Sequence, residues 1–72
     1  MVELYFNIKG TIDYFNSVIG IITNMADIYD CCISSAKSDN EGGKVLIKGE
    51  RNQLVDVQSA LKKMNLPEGN II

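Results

Sequence analysis

The chain has no histidine, no tryptophan, a single proline and two cysteines among its 72 residues. Without histidine it lacks the side chain that most often acts as a general base or a metal ligand near neutral pH. It also lacks an excess of basic residues, since 7 Lys and Arg stand against 9 Asp and Glu, a net charge of −2. Proteins that grip nucleic-acid phosphates usually concentrate Lys and Arg on one face. We therefore expect no nucleic-acid partner.

The two cysteines, Cys31 and Cys32, are adjacent in an apolar stretch. Neighbours on an extended strand point to opposite faces, so these thiols are poorly placed to bridge each other. A metal site needs further ligands at suitable spacing, and the sequence offers no third cysteine. We expect one buried thiol, no bound metal and no cofactor.

The location predicted for the protein is the cytoplasm. A small secreted domain usually carries several spaced cysteines as cross-links, and this sequence does not. The first residues show neither the basic region nor the cleavage site of a signal peptide. No apolar run approaches the roughly 20 residues that cross a bilayer, so no membrane partner is expected.

The first half of the sequence changes period once. Val2 to Lys9 alternates between apolar and polar residues, which predicts a half-buried strand with Leu4 and Phe6 among its inward side chains. From Ile12 to Ala26 the period becomes helical, and Thr11 or Asp13 is suited to cap this helix. Its apolar side comprises Ile12, Phe15, Ile19, Ile22 and Ala26, extended by Tyr14, Val18, Ile21 and Met25.

The second half contains weaker signals. An apolar stretch predicts a second strand at Ile28 to Ser35, and the polar run Ser34 to Gly43 is typical of a long hairpin loop. Lys44 to Lys48 predicts a third strand. A second helix follows, with Leu54, Val57, Leu61 and Met64 on one face. Pro67 ends this region, and Asn70 to Ile72 is predicted to add a short edge strand.

This order of elements predicts one α+β domain over residues 1–72, a ferredoxin-like βαββαβ open sandwich. Two helices of this length bury their apolar faces by lying on the same side of an antiparallel sheet. The other side of the sheet stays open. Open sheets that bind RNA stack bases on aromatic residues of the first and third strands, and Lys44 to Lys48 has none.

No set of residues predicts catalysis. Asp27 and Asp30 are close in sequence, but close carboxylates are commonly solvated turn residues, and acid–base work needs a shifted pKa in a cleft. A thiol nucleophile at Cys31 or Cys32 has no histidine to activate it. We expect a protein that is not an enzyme.

The pattern resembles the ACT domain and its ACT-like relatives over nearly the whole chain. Val2 to Ile8 resembles the first strand of that family, Ile12 to Ala26 its first helix, and Asp27-Ile28 its turn into the second strand. Lys44 to Ile47 and the helix marked by Leu54, Val57 and Leu61 resemble its second half. The resemblance implies a regulatory or ligand-sensing module that dimerises or docks on another protein.

The candidate site residues fall into two sets. A small amino-acid-like ligand is predicted to meet the turn before the first helix, at Gly10, Thr11, Ile12 and Asp13, because N–H groups there lack partners. A homodimer or partner interface is predicted at Asn16, Gly20, Asn24, Tyr5 and Tyr29. The alternative function is a stand-alone protein–protein interaction module, such as a small inhibitor from a phage or mobile element.

Overall fold

The computed structural model describes residues 1–72 and contains four strands and two helices. In chain order these are β1 (Val2–Lys9), α1 (Ile12–Ile28), β2 (Cys32–Asp39), β3 (Gly42–Gly49), α2 (Arg51–Lys63) and β4 (Asn70–Ile71). The strands form one open sheet in the order β2-β3-β1-β4, with all neighbours antiparallel. The predicted α+β class with an antiparallel sheet is confirmed.

The central strand β1 has the alternation that its sequence predicts. Leu4, Phe6 and Ile8 are buried, whereas Asn7 and Lys9 are exposed. Both helices cover the buried side, since α1 packs on β2 and β3, α2 packs on β1 and β3, and the helices contact each other. The core residues are Leu4, Phe6, Ile8, Phe15, Val18, Ile22, Ala26, Cys31, Val45, Ile47, Leu54, Val57 and Leu61.

Helix α1 begins as predicted and ends later. The Thr11 hydroxyl oxygen accepts a hydrogen bond from the Tyr14 backbone N–H at 3.1 Å, so Thr11 caps the helix. The helix buries Phe15 and Val18 together with Ile22 and Ala26. Ile12, predicted on the same face, is 51% exposed because it is the first residue of the helix and lies at its end.

The prediction for β2 is wrong in its position. Ile28 is the last residue of α1 rather than the first of a strand, and the chain then turns at Asp30, which has a φ of +59°. The strand occupies Cys32–Asp39, so most of the predicted loop at 34–43 is strand. Only Asn40 and Glu41 remain as the turn into β3. Backbone pairing with β3 holds this polar segment in a strand without an apolar face.

The second half of the chain follows its predicted order. Helix α2 buries Leu54, Val57 and Leu61, and its first turn is fixed by the Glu50 backbone N–H, which donates to Gln53 Oε1 at 3.4 Å. Strand β4 pairs with β1 at Leu4 and Tyr5, and Glu3 exchanges backbone hydrogen bonds with Ile72 just beyond it, which confirms a short edge strand. Neither helix has the combination of length and apolar character needed to cross a membrane.

Candidate functional site

The predicted ligand segment Gly10–Asp13 comprises the turn between β1 and α1, Gly10 and Thr11, and the first two residues of α1, and all four residues are exposed. Gly10 has a φ of +146°, a conformation that residues with a side chain rarely adopt. A Cβ atom built at Gly10 would lie 2.9 Å from Tyr14 Cδ2. The backbone of the turn therefore requires glycine here for structural reasons alone.

Two N–H groups around this turn already have acceptors within the chain. The Gly10 N–H donates to the Glu41 carbonyl at 2.8 Å, and the Tyr14 N–H donates to Thr11. First-turn N–H groups have no partner inside a helix, which leaves those of Ile12 and Asp13 to meet an anion. The Asp13 carboxylate would repel a ligand carboxylate but accept a hydrogen bond from an ammonium group. Binding of an amino-acid-like molecule here stays a prediction.

A shallow groove of about 310 Å³ lies beside this turn, at the end of the β2–β3 hairpin. Lys9 and Lys44 line it together with Asp39 and Glu41, and none of Gly10–Asp13 does. The Asp39 carboxylate is held in place because it accepts a hydrogen bond from the Glu41 N–H at 2.8 Å. The sequence does not predict this groove, because it predicts a loop at Asp39, which is the last residue of β2 in the structure.

The predicted interface residues on α1, Asn16, Gly20 and Asn24, form an exposed line along the helix. A Cβ atom built at Gly20 has no neighbour within 4 Å, so the helix backbone is open to an approaching surface there. Asn24 also borders a groove whose opposite wall contains Cys32 and Ile33 of β2. Asn24 therefore lies beside the first residues of the edge strand β2.

The two predicted interface tyrosines lie elsewhere. Tyr5 is half-buried on the side of the sheet away from the helices, paired across β1 and β3 with Leu46. Tyr29 follows the last residue of α1 and lines a groove with Ser59 and Ala60 of α2. The structure thus separates the predicted interface set into three surfaces and brings together only the α1 line.

We call the side of the sheet away from the helices the open face. Register places Lys37 of β2 opposite Lys44 of β3, and Lys44 opposite Asn7 of β1. Both lysines are exposed, and with Tyr5 and Leu46 they border a groove of about 170 Å³. Sequence reasoning missed this lysine pair because Lys37 had been predicted to lie in a loop, where it would face no strand.

The two cysteines occupy opposite environments, as predicted. Cys31 is buried and Cys32 is exposed, and both are free thiols. The Cys31 thiol donates a weak hydrogen bond to the Tyr29 carbonyl, with an Sγ–O distance of 3.5 Å. Burial raises the pKa of Cys31 above its ordinary value, with further contributions from Cys32 and Asp30. Cys31 is therefore mainly a protonated core residue.

This difference predicts unequal alkylation of the two thiols. Cys32→Ala leaves Cys31 as the single thiol, and Cys31→Ser leaves Cys32. Iodoacetamide at pH 8 should modify Cys32 at least tenfold faster than Cys31, because the thiolate is the nucleophile. Mass spectrometry over time measures both rates. In urea the two rates should converge, and equal rates in the folded protein would contradict the burial of Cys31. Both variants together should keep the fold at a cost of about 1–2 kcal/mol, which comes chiefly from the buried Cys31.

No cluster of three or more His, Cys, Asp or Glu side chains is arranged to hold a metal ion. Comparison of the chain with protein-family models, with curated proteins and with solved structures found no match in any of the three. Its candidate function must therefore be argued from its own surfaces.

Proposed function

We propose that the chain is a small non-enzymatic regulatory module with an ACT-like, ferredoxin-like βαββαβ scaffold, acting as a homodimer through β2. The chain order of its elements and the strand order β2-β3-β1-β4 support this scaffold. The observation that carries the dimer is the uncovered edge of β2.

Strand β2 is an eight-residue edge strand. One row of its backbone N–H and C=O groups has no strand partner, and such edges readily pair with another chain. Proteins that avoid this pairing shorten the edge strand or load it with charges and bulges. β4, at the other edge, spans two residues. β2 has one bulge, between Ile33 and Ser35, and two charged residues of opposite sign, Lys37 and Asp39. Its other side chains are mostly small, so a second copy can approach closely.

The surroundings of β2 favour the same surface. Asn24, at one end of the α1 line, borders the groove that also contains Cys32 and Ile33, so this end of the line lies near the β2 edge. The predicted ligand turn is joined to the end of the hairpin by the Gly10–Glu41 hydrogen bond. A ligand bound at Gly10–Asp13 would therefore lie at the end of the molecule where β2 ends. We propose that a ligand in this position regulates dimer assembly.

The dimer predicts a defined response to added charge. Light scattering at micromolar concentration should give twice the 8.0 kDa mass of one chain. Ala36→Lys on β2 should give the mass of one chain, because Ala36 is exposed in the monomer and two added lysines would meet at the paired edges. Gly20→Arg should leave the two-chain mass unchanged, because Gly20 lies on α1 and a dimer paired through β2 does not need that position.

The matched control is Asn70→Lys, which adds the same charge to the opposite edge strand and should leave the two-chain mass unchanged. A single-chain mass for the unmodified protein at all concentrations would rule the dimer out. Dissociation by Asn70→Lys but not by Ala36→Lys would move the interface to β4. Dissociation by Gly20→Arg alone would show a helical interface.

A second candidate function, a stand-alone interaction module that occupies a surface of another protein, is favoured by a different observation. The open face carries paired lysines beside half-buried Tyr5 and Leu46. A sheet face that contacts only water does not require paired lysines beside large half-buried side chains. A dimer paired through β2 would leave the open face uncovered.

A further inference from the structure

The open face has a charge opposite in sign to the rest of the chain. Its strand residues include four of the 7 basic residues but two of the 9 acidic ones, so its net charge is +2 within a chain of −2. The remainder of the chain therefore carries −4. The four lysines are Lys9, Lys37, Lys44 and Lys48, and the two carboxylates are Glu3 and Asp39.

The strand register places these charges in rows, each made of the residues that lie opposite one another on β1, β3 and β2. Lys48 is paired with Glu3, and Lys9 shares the last row with Asp39 through Gly42, so the outer rows are neutral. The row formed by Asn7, Lys44 and Lys37 has no carboxylate. The excess positive charge therefore lies in one row.

Like charges directly opposite on neighbouring strands destabilise a sheet. A bound anion between Lys37 and Lys44 would relieve this repulsion and form charge-assisted hydrogen bonds with both ammonium groups. The next row along the strands consists of Tyr5, Leu46 and Ser35, of which all three are half-buried. The aromatic ring of Tyr5 and the aliphatic side chain of Leu46 thus lie in the row directly beside the doubly basic one.

We propose that the open face binds an extended acidic segment of another protein. Successive side chains on one face of a strand are about 7 Å apart, which is also the spacing of neighbouring rows in a sheet. A segment lying along the strands would place an apolar side chain on Tyr5 and Leu46, and a carboxylate two residues away between Lys37 and Lys44. This inference rests on the second candidate function and is independent of the dimer.

The experiment uses a fluorescein-labelled peptide that repeats leucine-serine-glutamate-serine three times, and the same peptide with glutamine in place of glutamate. Fluorescence anisotropy at low salt should show binding of the glutamate peptide at least tenfold tighter than of the glutamine peptide. The double variant Lys37→Gln/Lys44→Gln should weaken glutamate-peptide binding at least tenfold. Added salt should weaken it as well, because these charges are exposed.

The matched control is Lys62→Gln/Lys63→Gln, which removes the same charge from the last turn of α2 and should change the affinity less than twofold. Equal losses in both double variants, equal binding of the two peptides or no binding of the glutamate peptide would overturn the proposal. Tighter binding of single-stranded DNA that depends on Lys37 and Lys44 would replace the acidic segment with a nucleic acid.

Light scattering of the same variants separates this proposal from the dimer. Lys37 lies on β2, but Lys37→Gln removes a charge from that edge rather than adding one, so the lysine variants should not fall below the mass of the unmodified protein. Lost peptide binding at unchanged mass then concerns the open face alone. A mass above two chains that falls on removal of Lys37 and Lys44 would show that the open face binds the acidic side of a second copy, and would overturn the proposal.

Discussion

Replacement of Phe6 by alanine is expected to lower the free energy of unfolding by about 3–5 kcal/mol. Phe6 has no exposed surface, pairs with Val45 at the centre of the sheet and is the largest of the fully buried side chains. A 72-residue chain has a total stability of roughly 4–10 kcal/mol. The variant should therefore lose about a third of its stability or more, and its melting temperature, followed by circular dichroism, should fall by more than about 12 °C.

The control is the neighbouring residue on the same strand. Tyr5 points to the open face and is half-buried, so Tyr5→Ala should cost about 1 kcal/mol, chiefly the cross-strand contact with Leu46. If Tyr5→Ala were as destabilising as Phe6→Ala, the assignment of the two faces of β1 would be wrong.

Gly42→Ala should produce the second large loss, on the order of 3 kcal/mol. Gly42 begins β3 with a φ of +126°, and a Cβ atom built there would overlap the carbonyl oxygen of Ile8 on the adjacent strand. An alanine must therefore displace backbone rather than a flexible side chain. Urea unfolding should show a lower midpoint, and hydrogen exchange should accelerate in the Ile8–Gly43 pair of the register.

Gly20→Ala is the opposite case and the matched control. Gly20 lies inside α1, where a Cβ atom meets nothing within 4 Å. Alanine has a higher helix propensity, so this variant should gain about 0.5–1 kcal/mol. A loss of stability in Gly20→Ala would mean that this part of α1 is already covered, as it would be in a dimer that packs through the helices.

The sequence predicted the core of β1 and α1 well because burial acts on side chains at a fixed period. Leu4, Phe6 and Ile8 had to point the same way on a strand, and Phe15 and Ile22 had to lie on one face of a helix. Those periods follow from the geometry of a single strand or helix, so the rest of the chain does not change them.

The sequence failed at β2 because an edge strand is held mainly by backbone hydrogen bonds. Its residues have no apolar alternation, whereas the apolar Ile28 and Tyr29 just before it imitate a strand although they end a helix. Ile28 is 65% exposed, so its hydrophobicity says nothing about the core. β2 is a strand because it pairs with β3, and the residue pattern within β2 alone does not predict that pairing.

The lysine pair of the open face could not be predicted for the same reason. Gly10–Asp13 and the α1 line are each local in sequence and could be proposed from it. Lys37 lies opposite Lys44 because of the register between β2 and β3. The sequence predicts a loop at Lys37, and a loop has no such register. Surfaces built across strands become visible only when the pairing is known.

The strand order also determines when the chain can fold during synthesis. The central strand β1 is made first, yet its partner β3 lies far along the chain, with Val2 paired to Gly49 and Lys9 to Gly42. A nascent chain ending at the hairpin turn holds β1 without a partner and α1 with no sheet to pack on. The β2–β3 hairpin, closed by a two-residue turn, is the local pairing that forms fastest. We therefore expect the sheet to start forming in the middle of the chain, with β1 recruited afterwards.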